Sequence, residues 1–268
     1  VGSIIFSGTW KFANIEKEIG ELEGSLKSYL SPPLLEKIKK NPDLLKMGGD
    51  RKNISVIFTD IVGFTEFCDK SEPEDVQIIL TEYLEIFAKV IFKYNGVIDK
   101  YLGDGILAFF ENENEENISS LNSIKCAIEL QEKSKKLNEK FLKQNKLNFY
   151  VRIGIATGYA KVGNIGPKEK IDYTIIGSVV NLASRLESLA NINEIVIDEE
   201  TYFFVKNKYK ISDVDQVKIK GFREKIKIYK LKIWNILHNT FFIKSFNKIL
   251  FKFVEVQKLK LYFESKNH

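Results

Sequence analysis

Asp60 ends the apolar run Ile54–Thr59 and is followed by Ile61-Val62-Gly63-Phe64-Thr65. The run reads as a buried strand that stops at a carboxylate, enters a tight glycine turn and opens a helix. Backbone N–H groups at such a turn make an anion site, and a carboxylate beside it suits a metal ion that bridges to phosphate. The same pattern fits an aspartate that only caps the turn. Asp104 lies in Gly103-Asp104-Gly105, between Val97–Tyr101 and Ile106–Phe110, which read as the strands of a hairpin. Aspartate at a hairpin tip is common for conformational reasons alone. Buried strands on both sides nevertheless demand a partner for that carboxylate. If the Asp60 and Asp104 strands are neighbours, the two groups converge, and they repel unless a cation sits between them. Mg²⁺, with oxygen ligands, retained waters and phosphate oxygens, meets that need.

A third group is Asn181 and Arg185, four residues apart in Tyr173-Thr174-Ile175-Ile176-Gly177-Ser178-Val179-Val180-Asn181-Leu182-Ala183-Ser184-Arg185. On a helix they share a face. The guanidinium fork suits phosphate, and an amide can orient a ribose ring. The competing reading is a surface pair of Arg185 with Glu187 or Glu82, plus a helix cap. The only histidines are His238 and His268, so residues 1–230 offer no Ser-His-Asp or Cys-His mechanism. Cys68 and Cys126, the only cysteines, make neither a disulfide framework nor a zinc site, and read as reduced, cytosolic thiols.

The elements that must position these residues follow from pattern. Glu74–Tyr94 is helical, with Val76, Ile79, Leu80, Tyr83, Leu84, Phe87 and Ile91 on one stripe. Asn117–Lys143 and Val179–Ala190 read as further helices. Asn148–Thr157 reads as a strand, and Tyr159–Gly166 with Lys170–Ile176 as a second hairpin around Pro167. Glu194–Asp198, Tyr209–Val214, Gln216–Lys220 and Lys225–Leu231 read as the remaining strands. Gly48-Gly49-Asp50 reads as a loop. The sum is an α+β sandwich with a mixed or antiparallel sheet and helices on one face.

Upstream, Phe12, Ile15, Ile19, Leu22, Leu26 and Tyr29 recur at spacings of three and four, an a/d seam over residues 10–30 weakened by Gly20 and Gly24. It fits either a parallel stalk or a helix packed on its own domain. Ser31-Pro32-Pro33 stops it, and a short helix follows over Leu34–Lys40. The 268-residue chain has a formal net charge of +5. Residues 231–268 carry seven lysines against Glu255 and Glu264, also +5, so the rest is neutral and shows no nucleic-acid footprint. That tail, rich in Phe, Ile and Leu, fits an amphipathic helix on a membrane or on the domain. No run is long enough to span a bilayer, and no signal peptide is evident. The chain begins at Val1, which leaves an upstream sensor or membrane region open, and with it tethering of an otherwise cytoplasmic protein.

Four blocks, "FTDIVGFT", "DKYLGDGILAFF", "RIGIATG" and "YTIIGSVVNLASRLE", make the chain resemble the class III adenylate and guanylate cyclases. The likeness runs from about Asp50 to Leu231 and includes the lead-in Tyr29–Gly49. It implies a ferredoxin-like βαββαβ sandwich acting as a head-to-tail homodimer. The implied organisation is a helical linker over 1–49, a catalytic domain over 50–231 and a basic helical tail over 232–268. The resemblance implies that Asp60 and Asp104, with the Ile61 carbonyl, hold two divalent metal ions, Mg²⁺ or Mn²⁺. Gly63, Phe64 and Thr65 would offer backbone N–H groups to phosphates, and Arg152 and Lys220 (or Lys218) would contact them. Lys100 and Thr174 would read the base, Asn181 would orient the ribose and Arg185 would stabilise the transition state. Lys100 favours ATP, because it donates to adenine N1 while the Thr174 hydroxyl accepts from N6. The expected function is an adenylate cyclase; the alternatives are a guanylate cyclase or a silent module that binds nucleotide or only dimerises. Ser178 departs from the Asp or Asn commoner at that position.

Overall fold

The computed structural model describes Lys17, Gly20, Glu21, Gly24 and residues 30–112, 118–143, 149–209, 211, 213–219, 221–222 and 224–232. The seam over residues 10–30, apart from those four positions and Leu30, the tail beyond Lys232, and Lys220 lie outside the described residues.

A lead-in helix α1 (Pro32–Lys40) and a 3-10 turn (Pro42–Leu45) precede β1 (Gly48–Ile61). Then come α2 (Phe64–Lys70), α3 (Pro73–Lys93), β2 (Val97–Leu102), β3 (Gly105–Glu111), α4 (Ile118–Lys143) and β4 (Val151–Ile165). The chain continues with β5 (Asp172–Ile176), α5 (Ser178–Leu189), β6 (Glu194–Asp198), α6 (Glu199–Val205), β7 (Asp213–Lys218) and β8 (Lys225–Lys232). Helix α3 forms where the sequence predicts it: Pro73 opens it, Glu74 and Asp75 complement its positive end, and Ile79, Tyr83, Phe87, Val90 and Ile91 are buried on one stripe.

The sheet runs β2-β3-β1-β4-β6-β8-β7, with β5 pairing with the end of β4 beyond β6, on the side away from β1. Its first four strands, linked β1-α-β2-β3-α-β4, are the ferredoxin-like core. Among the named strands β4 pairs with β6 in parallel and the other pairings are antiparallel. Side chains alternate along β1. Ile57 and Ile61 join Tyr83, Phe87 and Leu130 of α3 and α4 in one cluster. Ile54 and Val56 join Leu34 of α1 and Val179, Ala183 and Leu186 of α5 in another. Helices therefore cover both faces, not one, because the strands are apolar on both sides.

Three local readings are corrected. Gly48-Gly49-Asp50 is not a loop but the start of β1, paired with Asn164, Gly163 and Val162. The strands read on either side of Gly158 are one, Val151–Ile165: Gly158 pairs across to Ile54 without a break, so glycine interrupts nothing there. Of the strand read over Tyr209–Val214, Asp213 and Val214 belong to β7, which starts at Asp213, while α6, capped by the Asp198 carboxylate on the Thr201 N–H, occupies Glu199–Val205. The hairpin around Pro167 is formed, between β4 and β5.

Strand β5 comes back over β2 and β3. The Tyr173 ring stacks on Phe109 at 6.4 Å and its hydroxyl donates to Glu111 Oε1 at 3.2 Å. Glu111, with a side chain 6% exposed, also pairs with Lys52 at 2.7 Å and Lys37 of α1 at 3.4 Å.

Candidate active site

Asp60 faces Arg152 directly across the β1–β4 ladder. Arg152 Nη2 donates to Asp60 Oδ2, and Arg152 Nε lies 3.0 Å from Glu187 Oε1 on α5. Burial opposes the Arg152 charge, but its two carboxylate neighbours prevail and raise its pKa. Strand β4 lies close under α5 because residue 154 is glycine: a Cβ there would meet Glu187 N at 2.1 Å and Ala183 O at 2.4 Å.

Asp104, in the β2–β3 turn, accepts from the Ile61 N–H at 3.2 Å through Oδ2. Burial first, then the charge of Asp60, push its carboxyl up to about 6. The β1–β3 register makes the strands neighbours, Thr59 opposite Ile106, and so brings the two aspartates together. Asp60 does not cap the following turn; the N-cap of α2 is Gly63, in the left-handed region at φ 77°. The first helical bond there runs from Phe67 N–H to Gly63 O, so the N–H groups of Gly63, Phe64 and Thr65 precede it.

Among the described residues no three His, Cys, Asp or Glu side chains gather as a metal site. Two carboxylates are what the protein brings, and the upward push on Asp104 is what a cation between them would relieve. The pair therefore fits a divalent ion whose other ligands are backbone, phosphate or water oxygens.

Lys100 and Thr174 also meet: Lys100 Nζ donates to Thr174 Oγ1 at 3.4 Å. The fold-back of β5 brings them together. Thr174 Oγ1 in turn donates to Asp99 Oδ2 at 3.0 Å, a partner the sequence reading missed. Asp99 precedes Lys100, and simple alternation would send the two to opposite faces; a bulge between Ile98 and Lys100 overrides it. Burial raises the Asp99 pKa against the pull of Thr174 and Lys100.

Asn181 and Arg185 are both exposed on α5, while Val179, Ala183, Leu186 and Glu187 face the sheet. The surface pairs open to Arg185 in the sequence are taken: Glu82 pairs with Lys140 at 2.6 Å and Glu187 with Arg152. Arg185 and Asn181 thus lie on the exposed side of α5, while Glu187, the residue of α5 that meets Arg152, lies on its sheet side. Glu187 was also missed, since nothing in the sequence distinguishes it from a surface partner of Arg185. Lys218 ends β7.

Residues 49–233 match the family described as "Adenylate and Guanylate cyclase catalytic domain". The chain belongs to that family. It is 33% identical over 193 residues to an adenylate cyclase of Anabaena cylindrica, covering 68% of this chain and 37% of that protein. It is 33% identical over 139 residues to adenylate cyclase 1 of Rhizobium meliloti (strain 1021), covering 52% of this chain and 21% of that protein. The family chain thus spans well under half the length of these curated relatives. Among solved structures, the adenylyl cyclase CyaB from P. aeruginosa superposes with a TM-score of 0.65 at 38% identity, covering 68% of this chain and 94% of that one. The guanylyl cyclase Cya2 gives 0.65 at 31% identity, covering 69% and 93%.

Proposed function

We propose that this chain is the catalytic region of an adenylate cyclase. The observation that carries the reading is the Lys100–Thr174 pair, 3.4 Å apart, with the Lys100 side chain 44% exposed and able to meet a ligand. Adenine offers an acceptor at N1 and a donor at N6, which match an ammonium and a hydroxyl oxygen. Guanine reverses both groups and would leave Lys100 facing an N–H.

In the reaction the ribose 3′-oxygen bonds to the α-phosphorus and the bond from that phosphorus to the β-phosphate bridge breaks. The 3′ proton is lost and pyrophosphate leaves. Divalent ions, Mg²⁺ or Mn²⁺, held by Asp60, Asp104 and the Ile61 carbonyl, would supply charge neutralisation at the phosphates and a lowered 3′-hydroxyl pKa. The N–H groups of Gly63, Phe64 and Thr65 hold phosphate oxygens. Arg152 contacts phosphate from its place beside Asp60, with Lys220 or Lys218 as a further contact. Asn181 orients the ribose, and the Arg185 fork stabilises charge on the phosphoryl group in flight.

One chain does not complete this set. Arg185 and Asn181 face away from the helix side that touches Arg152, so a second copy must supply them to a given nucleotide. A head-to-tail homodimer with two equal sites follows.

The test is cyclic nucleotide production by the purified chain from ATP or GTP, with Mg²⁺ or Mn²⁺. Cyclic AMP should form at a kcat/KM at least roughly tenfold above that for cyclic GMP, the worth of one well-made hydrogen bond. Asp60→Ala should abolish it and Arg185→Ala should lower kcat roughly 10²–10³-fold. Preference for GTP would replace the reading with a guanylate cyclase. Nucleotide binding without product would leave the silent module.

A further inference from the structure

Asp99 has no place in the reaction as set out above, yet its side chain is only 2% exposed and lies against both base-reading groups. Its Oδ2 accepts the Thr174 hydroxyl at 3.0 Å and sits 3.5 Å from Lys100 Nζ. Its Oδ1 is buried and has no hydrogen-bond partner among the described residues. A carboxylate placed so deep on a strand edge costs stability, which marks it as held there for more than packing.

We propose that Asp99 is the positioning residue that sets base choice, by fixing which way the Thr174 hydroxyl points. An ionised carboxylate only accepts. While Thr174 gives its single hydrogen to Asp99, its oxygen can present nothing but lone pairs to the base. An amino group at purine C6 is then welcome and a carbonyl at C6 is refused. A free hydroxyl would rotate and serve either. The same carboxylate anchors the Lys100 ammonium next to Thr174, so one buried group orients both readers. The Ile98–Lys100 bulge makes this feasible, because it turns two consecutive side chains toward the same partner.

The inference rests on the adenylate cyclase reading and deepens it. The experiment compares kcat and KM for ATP and GTP in the wild-type chain, Asp99→Ala, Asp99→Asn, Thr174→Val and Asp99→Ala/Thr174→Val. Thermal melts of each confirm folding, and the near-isosteric Asp99→Asn covers a failure of the alanine variant. Asp99→Ala should lower the ATP-over-GTP ratio of kcat/KM roughly tenfold or more, and Asp99→Asn, whose amide can either accept from Thr174 or donate to it, should lower it less, both mainly through KM for ATP, with kcat for ATP changing far less. The double variant should discriminate no worse than Thr174→Val alone, since the two act through one hydroxyl. ATP and GTP rates falling together at an unchanged ratio would show a merely structural Asp99 and overturn the proposal, as would additive losses in the double variant. A wild-type chain that prefers GTP, or makes no product, refutes the parent reading and this one with it. A wild-type chain that prefers ATP while Asp99→Ala and Asp99→Asn keep its ratio refutes this one alone.

Discussion

Burial and the neighbouring charge of Asp60 make an ionised Asp104 costly in the folded chain, where its carboxyl titrates at about 6 against an ordinary 3.8. The folded state therefore binds that proton more tightly than the unfolded state does. Stability from this group is full at acid pH and is lost as pH rises from about 4 through about 6. The loss is on the order of 1 kcal/mol once the partial exposure of the group is allowed for. Asp104→Asn removes the charge and keeps the shape. In divalent-free buffer at pH 7.5 it should melt about 2–4 °C higher than the wild type, with the gain shrinking toward pH 4.5, while cyclase activity disappears. Melting curves at the two pH values check it; an unchanged Tm at pH 7.5 would mean that Arg152 already offsets the repulsion.

Helix α5 and strand β4 meet at Gly154, and that contact sets where Glu187, Arg152 and Asp60 line up. A methyl group there would collide with main-chain atoms of α5, which cannot swing aside as a side chain can. Gly154→Ala should cost about 3 kcal/mol of stability, read by urea unfolding, and lower activity even where the chain stays folded. This is also where sequence and structure part company. The periodic stripe of α3, the Gly103-Asp104-Gly105 hairpin and the strand ending at Asp60 were legible, because each is written locally in apolar spacing and turn residues. The unbroken 15 residues of β4 were not, since Gly158 reads as a break and only the pairing with β1 shows otherwise. Asp99 was hidden for a related reason: a bulge is a property of two strands in register, and the run Val97–Tyr101 carries no mark of it. Glu187 looked like a surface partner for Arg185 until the close approach at Gly154 turned it inward.

For the molecule as a whole, the proposed shared site makes function a property of two chains. On that proposal, Asp104→Ala removes a group from one half of each site and Asn181→Ala a group from the other half. Mixing the two inactive chains in equal amounts should restore roughly a quarter of wild-type activity, because random pairing makes half of the dimers mixed and each of those has one intact site of its two. An activity assay of the mixture against each chain alone checks this, and no recovery at any ratio would end the shared-site arrangement. The Glu111 knot bears on how much polypeptide such work requires. Lys37 reaches it from α1, and Leu34 and Leu35 on the same helix are 4% and 6% exposed. A fragment trimmed to the family boundary at residue 49 would uncover those leucines and strip one of two lysines from a carboxylate that also grips Tyr173, next door to Thr174. The minimal piece that keeps strand β5 in register therefore begins before Pro32, well ahead of the first residue by which the family is recognised.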